Sequence, residues 1–371
     1  MACTGLAGLS TAAVMGAEKN AFSFLLLGDL HYDKLAHHDL PALLRDKPDD
    51  HRQVHEYSKI TAEIMPRLFA SARQAVGDAD EAGESRISFA LQVGDLVEGL
   101  CGSEERARQQ DREAVEFVRR ANLEVPFLFA KGNHDITGAG APEAFQVVFH
   151  PFLAEQAARL DPRAELAGAC FALEHQDALF CFFDAYDKQS LGWLEAALAK
   201  RTARHCFVLV HPPAVPYGAR STWHVFANDR ERAQRGRWLD LLGKHNALVL
   251  SGHIHKYNLL VRLTPRGGRF LQLGVSSVIS SPEPQARDVL FGVERYNGDQ
   301  VMVEPRFSPA TEQQRRAVYE GEAPFVKQFQ YADLPGYAVV SVNGAHVSAK
   351  IYSGVTRQLW RALKLTEMLE A

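Results

Sequence analysis

Short, largely apolar runs recur along the chain at residues 22–27, 87–93, 125–130, 207–210 and 247–250. Runs of this length without strict polar alternation are the pattern of strands buried on both faces of a sheet. Longer stretches with helical spacing separate them, the clearest at about 58–76. Strand-like runs alternating with helical ones argue for a layered α/β domain.

The segment 32–57 breaks this rhythm, and its His37, His38, Asp49, Asp50, His51 and His55 give it the character of a loop lying over the mouth of a site. Residues 171–184 read as paired strands around Gln176-Asp177. Asn297-Gly298 and Asn343-Gly344 each sit between alternating apolar runs, a strong hairpin signal, and the second joins 337–342 to 346–352. Residues 305–330 are polar and proline-punctuated, which suggests a helix with linkers, and 355–369 has the pattern of a closing amphipathic helix. The expected organisation is a lead-in at 1–20, a main domain at 21–300 and a C-terminal extension at 301–371 with a hairpin and a terminal helix.

Composition narrows the class of partner. The chain has 371 residues and a formal net charge of −4, with acidic and basic residues interspersed. Nothing marks a surface for nucleic-acid polymers, and no run approaches the length of a membrane helix. A small anionic substrate would have to be captured by metal, not by bulk charge. The five cysteines, Cys3, Cys101, Cys170, Cys181 and Cys206, are too sparse for a disulfide scaffold and form no CxxC pair. Cys170, Cys181 and Cys206 lie in or beside strand-like runs, where a thiol acts as a small buried apolar group. Residues 3–17 are small and weakly apolar, like the end of a secretory signal, but no basic segment precedes them. The expected location is therefore periplasmic or exported if a signal has lost its start, and cytoplasmic otherwise.

The chemistry sits just after the apolar runs. Asp29-Leu30-His31, Gly94-Asp95, Gly132-Asn133-His134-Asp135, His211 and Gly252-His253-Ile254-His255 supply carboxylate, amide and imidazole donors and no thiolate. Such a set suits Mn, Fe or Zn better than Mg or Ca, which avoid imidazole. Open α/β sheets build sites at the carboxyl ends of their strands, so donors far apart in sequence can converge. After His211, a Pro-fixed loop carries Tyr217, Arg220, Trp223 and His224, which are candidates to fork onto a phosphate or to stack a base or sugar.

The order of these motifs resembles the calcineurin-like metallophosphoesterase superfamily over about residues 22–273. The Asp-x-His start is similar to the branch of phosphodiesterases and general phosphoesterases; purple acid phosphatases use a tyrosine ligand at another position. The resemblance implies a four-layer α/β sandwich, two mixed β-sheets flanked by helices, with two divalent or trivalent metal ions at one end. It implies that Asp29, His31, Asp95 and His255 hold one metal and Asp95, Asn133, His211 and His253 the other. His134 would assist the leaving group, and Glu98 stands where relatives carry an Asp that orients this histidine. The implied activity is hydrolysis of phosphate mono- or diesters by a metal-bridging hydroxide. Two alternatives keep the same donors: a pyrophosphatase acting on nucleotide-sugar or lipid-linked substrates, and a catalytically silent metal-binding module. The natural substrate, the metals and the oligomeric state are not readable from these residues.

Overall fold

A computed structural model describes residues 21–78, 85–164, 166–218, 222–297 and 311–371. The lead-in, Cys3 and Arg220 lie outside them. Among the described residues the strands in chain order are β1 (Phe22–Leu27), β2 (Ile87–Gln92), β3 (Phe127–Phe129), β4 (Phe171–His175), β5 (Ala178–Phe183), β6 (His205–Val210) and β7 (Leu248–Ser251). They continue with β8 (Tyr257–Leu263), β9 (Arg269–Gly274), β10 (Arg287–Phe291), β11 (Val326–Asp333), β12 (Gly336–Asn343), β13 (His346–Ser353) and β14 (Leu359–Lys364). The helices are α1 (Leu40–Asp46), α2 (Pro48–Glu63), α3 (Met65–Asp78), α4 (Glu104–Ala121), α5 (Ala141–Ala144), α6 (His150–Leu160), α7 (Ser190–Ala199), α8 (Arg232–Lys244), α9 (Glu312–Glu322) and α10 (Leu365–Glu370). None of these helices is long and apolar enough to cross a membrane.

Two mixed sheets result, one ordered β14-β13-β12-β1-β2-β3 and the other β10-β11-β8-β9-β7-β6-β5-β4. β1, β2 and β3 run parallel, as do β5, β6, β7 and β9, while the outer strands pair antiparallel. The period of two along β5 sorts its side chains into two cores. Ala178, Phe180 and Phe182 join the core that also holds Phe24 and Phe89 of the first sheet. Leu179, Cys181 and Phe183 turn outward to Leu194 and Leu198 of α7 and Trp238 and Leu242 of α8. On the far side of the first sheet, Leu68, Phe69 and Ala72 of α3 and Ala114 and Val118 of α4 complete the sandwich. The expected four layers are present.

Phe180 sits where the sheets meet, stacked on Phe207 at 4.7 Å and edge-on to Phe24 and Phe89 at 5.4 and 5.2 Å. Phe180→Ala is expected to cost about 3–5 kcal/mol by opening a cavity there. The measurement is a lower urea midpoint with an unchanged slope.

Four sequence expectations need correction. Residues 32–57 form not a loop but a 3-10 turn (Leu35–His37), α1 and the first part of α2. Asp39 caps α1 by accepting from the Ala42 amide, and α2 opens with Pro48 and the acidic pair Asp49 and Asp50. His37 and His38 are buried, against Glu113 and Asp33, and His51 and His55 lie one turn apart on α2. Second, the helix expected at 58–76 is the end of α2 followed by α3, parted at Ile64 ahead of Pro66. Third, 355–369 is not one helix: 359–364 is β14, paired with β13, and only 365–369 is helical, within α10. Pairing on a sheet edge satisfies this backbone and overrides its amphipathic spacing. Fourth, within 305–330, α9 is the expected helix, but 326–333 is β11, a strand and not a linker. Before Asn297 the chain makes a 3-10 turn (Val293–Arg295), and Gly298 lies outside the described residues. The expected second hairpin forms as β12 and β13. β12 lies against β1 and β11 against β8, so the C-terminal segment is woven into both sheets. None of the four described cysteines is in a disulfide; Cys181 and Cys206 are the expected buried apolar thiols, and burial pushes the Cys206 thiol up to about 11, whereas Cys170 is half-buried and its Sγ accepts from the Asp184 amide at 3.3 Å.

Candidate metal centre

The carboxyl ends of β1, β2, β3, β6 and β7 open toward one another, and every candidate ligand lies on the loops that leave them or on the short turn into β8. These loops bend sharply. His31, Asp95, His253 and His255 all hold positive φ, at 49°, 56°, 69° and 57°. Side-chain-bearing residues rarely adopt this region, and four of them meet at this one crevice. The loops tie to one another: Asp29 Oδ1 accepts from the His253 amide at 2.8 Å across the two sheets, and Asp95 Oδ1 accepts from the His134 amide at 2.7 Å within the first sheet. Gly132 must be glycine, because a Cβ there would collide with the Asp95 carboxylate and amide. The buried Asp135 carboxylate accepts from the amides of Asp95, Leu96, Val97 and Gly132, fixing the turn that carries Asp95.

Asp29, His31, Asp95 and His255 each offer one ligand atom, all within 4.8 Å of one another. Asp95, His211 and His253 form a second such group. His211 Nε2 lies 2.9 Å from Asp95 Oδ2, 3.1 Å from Asn133 Oδ1 and 3.1 Å from His253 Nδ1. Asp95 belongs to both groups.

The hydrogen bonds around these atoms test whether cations fit. His211 Nδ1 lies 3.0 Å from the Val93 carbonyl, which can only accept, so Nδ1 carries the proton. In the neutral ring Nε2 is then a lone pair facing a carboxylate and an amide oxygen. His31 repeats the pattern: Nδ1 meets the Glu98 carboxylate at 2.7 Å, and Nε2 faces His255 Nε2 at 3.0 Å. Asp29 Oδ2 is buried and has no hydrogen-bond partner among the described residues. Acceptors converging on acceptors, with imidazoles oriented by outer carbonyl and carboxylate groups, is an arrangement that a cation resolves. Without one, protons take its place. Burial disfavours charge on His211, but Asp95, Asp29 and Asp135 outweigh it and lift its pKa to about 9. Burial also opposes the Asp95 charge, yet His211, His134 and His31 hold that carboxyl well below its usual range. Burial lifts Asp29 against the pull of His211.

His134 borders the first group, its ring edge-on to His31 at 4.8 Å. Its Nδ1 donates to the backbone carbonyl of Glu98 at 2.7 Å, whereas the Glu98 carboxylate is 3.5 Å away. That carboxylate is committed elsewhere, to His31 through Oε2 and to Gln53 Nε2 through Oε1 at 2.8 Å. Glu98 therefore positions His31 with its side chain and His134 with its main chain. Burial disfavours charge on His134, but Glu98 and Asp95 raise its pKa.

Of the four substrate candidates, Trp223 reaches the site: it is 50% exposed and stacked 5.2 Å from His253. Tyr217 does not, because it is fully buried and its hydroxyl donates to the Lys256 carbonyl at 3.2 Å. It instead ties the loop after His211 to the loop bearing His255. Tyr217→Phe is expected to keep the fold but weaken Mn affinity about tenfold. Calorimetry decides this, and unchanged affinity at both sites would reduce the hydroxyl to satisfying its own burial. His224 packs with Nδ1 donating to the Thr222 carbonyl at 2.6 Å; burial and Arg235 hold its pKa down to about 3, so it is a neutral group. Arg220 lies outside the described residues.

Two contributors were not anticipated, Gln53 and Tyr57. Both lie on α2, one turn apart, so both face the site: Gln53 holds Glu98, and Tyr57 stacks on His31 at 4.4 Å with rings 5° from parallel. The signal was the helix start at Pro48-Asp49-Asp50, obscured by the histidines around it. A cavity of about 680 Å³ opens beside Tyr57 and His255.

The calcineurin-like phosphoesterase family model matches residues 22–257. No curated protein matches the chain. Among solved structures the chain is similar to a purple acid phosphatase from seeds of yellow lupin (Lupinus luteus), with 11% identity, a TM-score of 0.51, and coverage of 95% of this chain and 56% of that one. It is similar to PhoD with 12% identity, a TM-score of 0.52, and coverage of 94% of this chain and 69% of that one. At these identities the likeness is one of fold, and the chain spans just over half of the lupin protein.

Proposed function

Because the chain belongs to the calcineurin-like phosphoesterase family, a family of metal-dependent phosphoester hydrolases, we propose that it hydrolyses phosphate mono- or diesters at a two-metal centre. Asp29, His31, Asp95 and His255 would hold one cation and Asp95, Asn133, His211 and His253 the other, drawn from Mn, Fe or Zn. The observation that carries this reading is the sharing of Asp95 between two groups of convergent acceptors. When bound, two such cations supply Lewis-acid neutralisation of phosphate oxygens and lower the pKa of a water.

The protein's own residues do the rest. Val93 and Glu98 hold His211 and His31 in the tautomer that presents Nε2 inward. His134, with Nδ1 held by the Glu98 carbonyl, keeps a proton at Nε2 in its imidazolium form, and its 19% exposed side chain is within reach of a leaving oxygen. Trp223 stacks beside His253.

The test is turnover of bis(p-nitrophenyl) phosphate and p-nitrophenyl phosphate by the Mn-loaded protein, abolished by chelation and restored by Mn. A protein that holds two metals yet turns over neither ester would refute the reading.

A further inference from the structure

We infer that the cavity beside His255 receives the alcohol part of the substrate, and that this alcohol is an uncharged, hydroxyl-rich group of sugar or nucleoside size. The inference rests on the phosphoesterase reading above. At about 680 Å³ the cavity is far larger than a phosphate needs and falls within the usual range for small-molecule sites. It opens directly onto His255 and Tyr57, so a phosphate at the metal centre would extend its ester arm into it.

Three kinds of arm can be weighed against the lining. A second phosphate would need a free cation or a bare helix N-terminus. The lining has three cations, Arg52, Lys256 and Arg287, against four carboxylates, Asp49, Glu56, Glu283 and Asp333, a net charge of −1. All three cations are already paired: Arg52 with Asp49 at 2.5 Å, and Lys256 and Arg287 both with Asp333 at 2.7 Å. The N-terminus of α2, which borders the cavity, carries Asp49 and Asp50 in its first turn. A condensed phosphate would thus enter a negative pocket and break ion pairs to do so. A lipid-like arm fares no better, because Val278, Pro284 and Pro335 are the aliphatic side chains of the lining and Tyr57 is its one ring besides His255. Hydroxyl groups match what remains. Ser280, Ser281 and Gln285 both donate and accept, while Glu56 and Glu283 accept.

The experiment uses the full chain loaded with Mn and two non-hydrolysable phosphonates of equal length, one with a polyhydroxylated five-carbon chain and one with a pentyl chain. Calorimetry is expected to show the hydroxylated probe binding about tenfold tighter or more, the difference that two or three net hydrogen bonds make. Glu56→Leu and Ser281→Trp, both at exposed positions on the cavity wall, should bring the ratio toward one while Mn content stays at two per chain. Equal or tighter binding of the pentyl probe overturns the inference, as does a ratio that survives in both variants. Faster cleavage of a nucleotide-sugar pyrophosphate than of any simple ester would also overturn it. If the p-nitrophenyl esters are hydrolysed but the probes bind alike, the pocket assignment alone falls. If two metals are held and no ester is hydrolysed, the phosphoesterase reading falls with it.

Discussion

Asp95→Ala is expected to strip tight metal binding from both halves of the centre at once. The reason is geometric: Asp95 Oδ2 lies 2.9 Å from His211 Nε2 in one group and 3.8 Å from His31 Nε2 in the other, and its Oδ1 also accepts from the His134 amide. No other carboxylate is in both groups. Loss of an outer-sphere partner alone weakens metal affinity about 10–100-fold, so loss of a shared ligand should exceed that at each site. Lewis-acid stabilisation is worth several kcal/mol, so turnover should fall by about 10³-fold or more. Metal content after dialysis reads the first effect, and His211→Ala is the control, since it should empty one site and leave Asp29, His31, Asp95 and His255 intact. An Asp95→Ala protein that keeps one equivalent at native affinity would show that the carboxylate is not shared.

How much of this centre the sequence disclosed depends on what local patterning can encode. The strands ahead of Asp29, Asp95, Asn133, His211 and His253 were legible, because a strand buried on both faces must be apolar throughout. That the donors would converge followed from the carboxyl-end rule. Which donors share a cation was not legible, because the pairing depends on the facing of two sheets that brings together donors 78 to 224 residues apart; it came from the resemblance. The role of α2 was missed because its buried face is narrow, only Val54, Tyr57, Ile60 and Thr61, while His51 and His55 on the helix, with His37 and His38 ahead of it, suggested a loop. Tyr217 shows the opposite limit. An aromatic residue on a Pro-fixed loop reads as a substrate contact, yet the structure buries it completely and uses its hydroxyl as a tie between ligand loops. A side chain's hydrogen-bond partner 39 residues away is a property of the fold, with no local trace.

His134→Ala separates proton donation from scaffolding. His134 lies in a further group with His31 and Glu98 but contributes no atom to the two groups that share Asp95, and its Nδ1 is held by the Glu98 carbonyl, so the variant should retain both metals. If Nε2 protonates the leaving oxygen, turnover of alkyl esters should fall about 10²–10⁴-fold. The deficit should shrink on p-nitrophenyl esters, whose leaving group needs little protonation. Glu98→Gln supplies the contrast. Because the Glu98 carboxylate rests on His31 at 2.7 Å and only its backbone carbonyl holds His134, this variant should weaken metal binding and slow good and poor leaving groups alike. A Glu98→Gln deficit that instead tracked leaving-group pKa would mean that the carboxylate acts on His134 during turnover, across the 3.5 Å that parts them here. Equal losses on both ester types in His134→Ala would mean that the ring positions phosphate, and wild-type rates would remove it from the reaction. The two variants therefore assign the proton at Nε2 and the orientation of His31 to separate atoms of neighbouring residues, one measured by leaving-group dependence and the other by metal affinity.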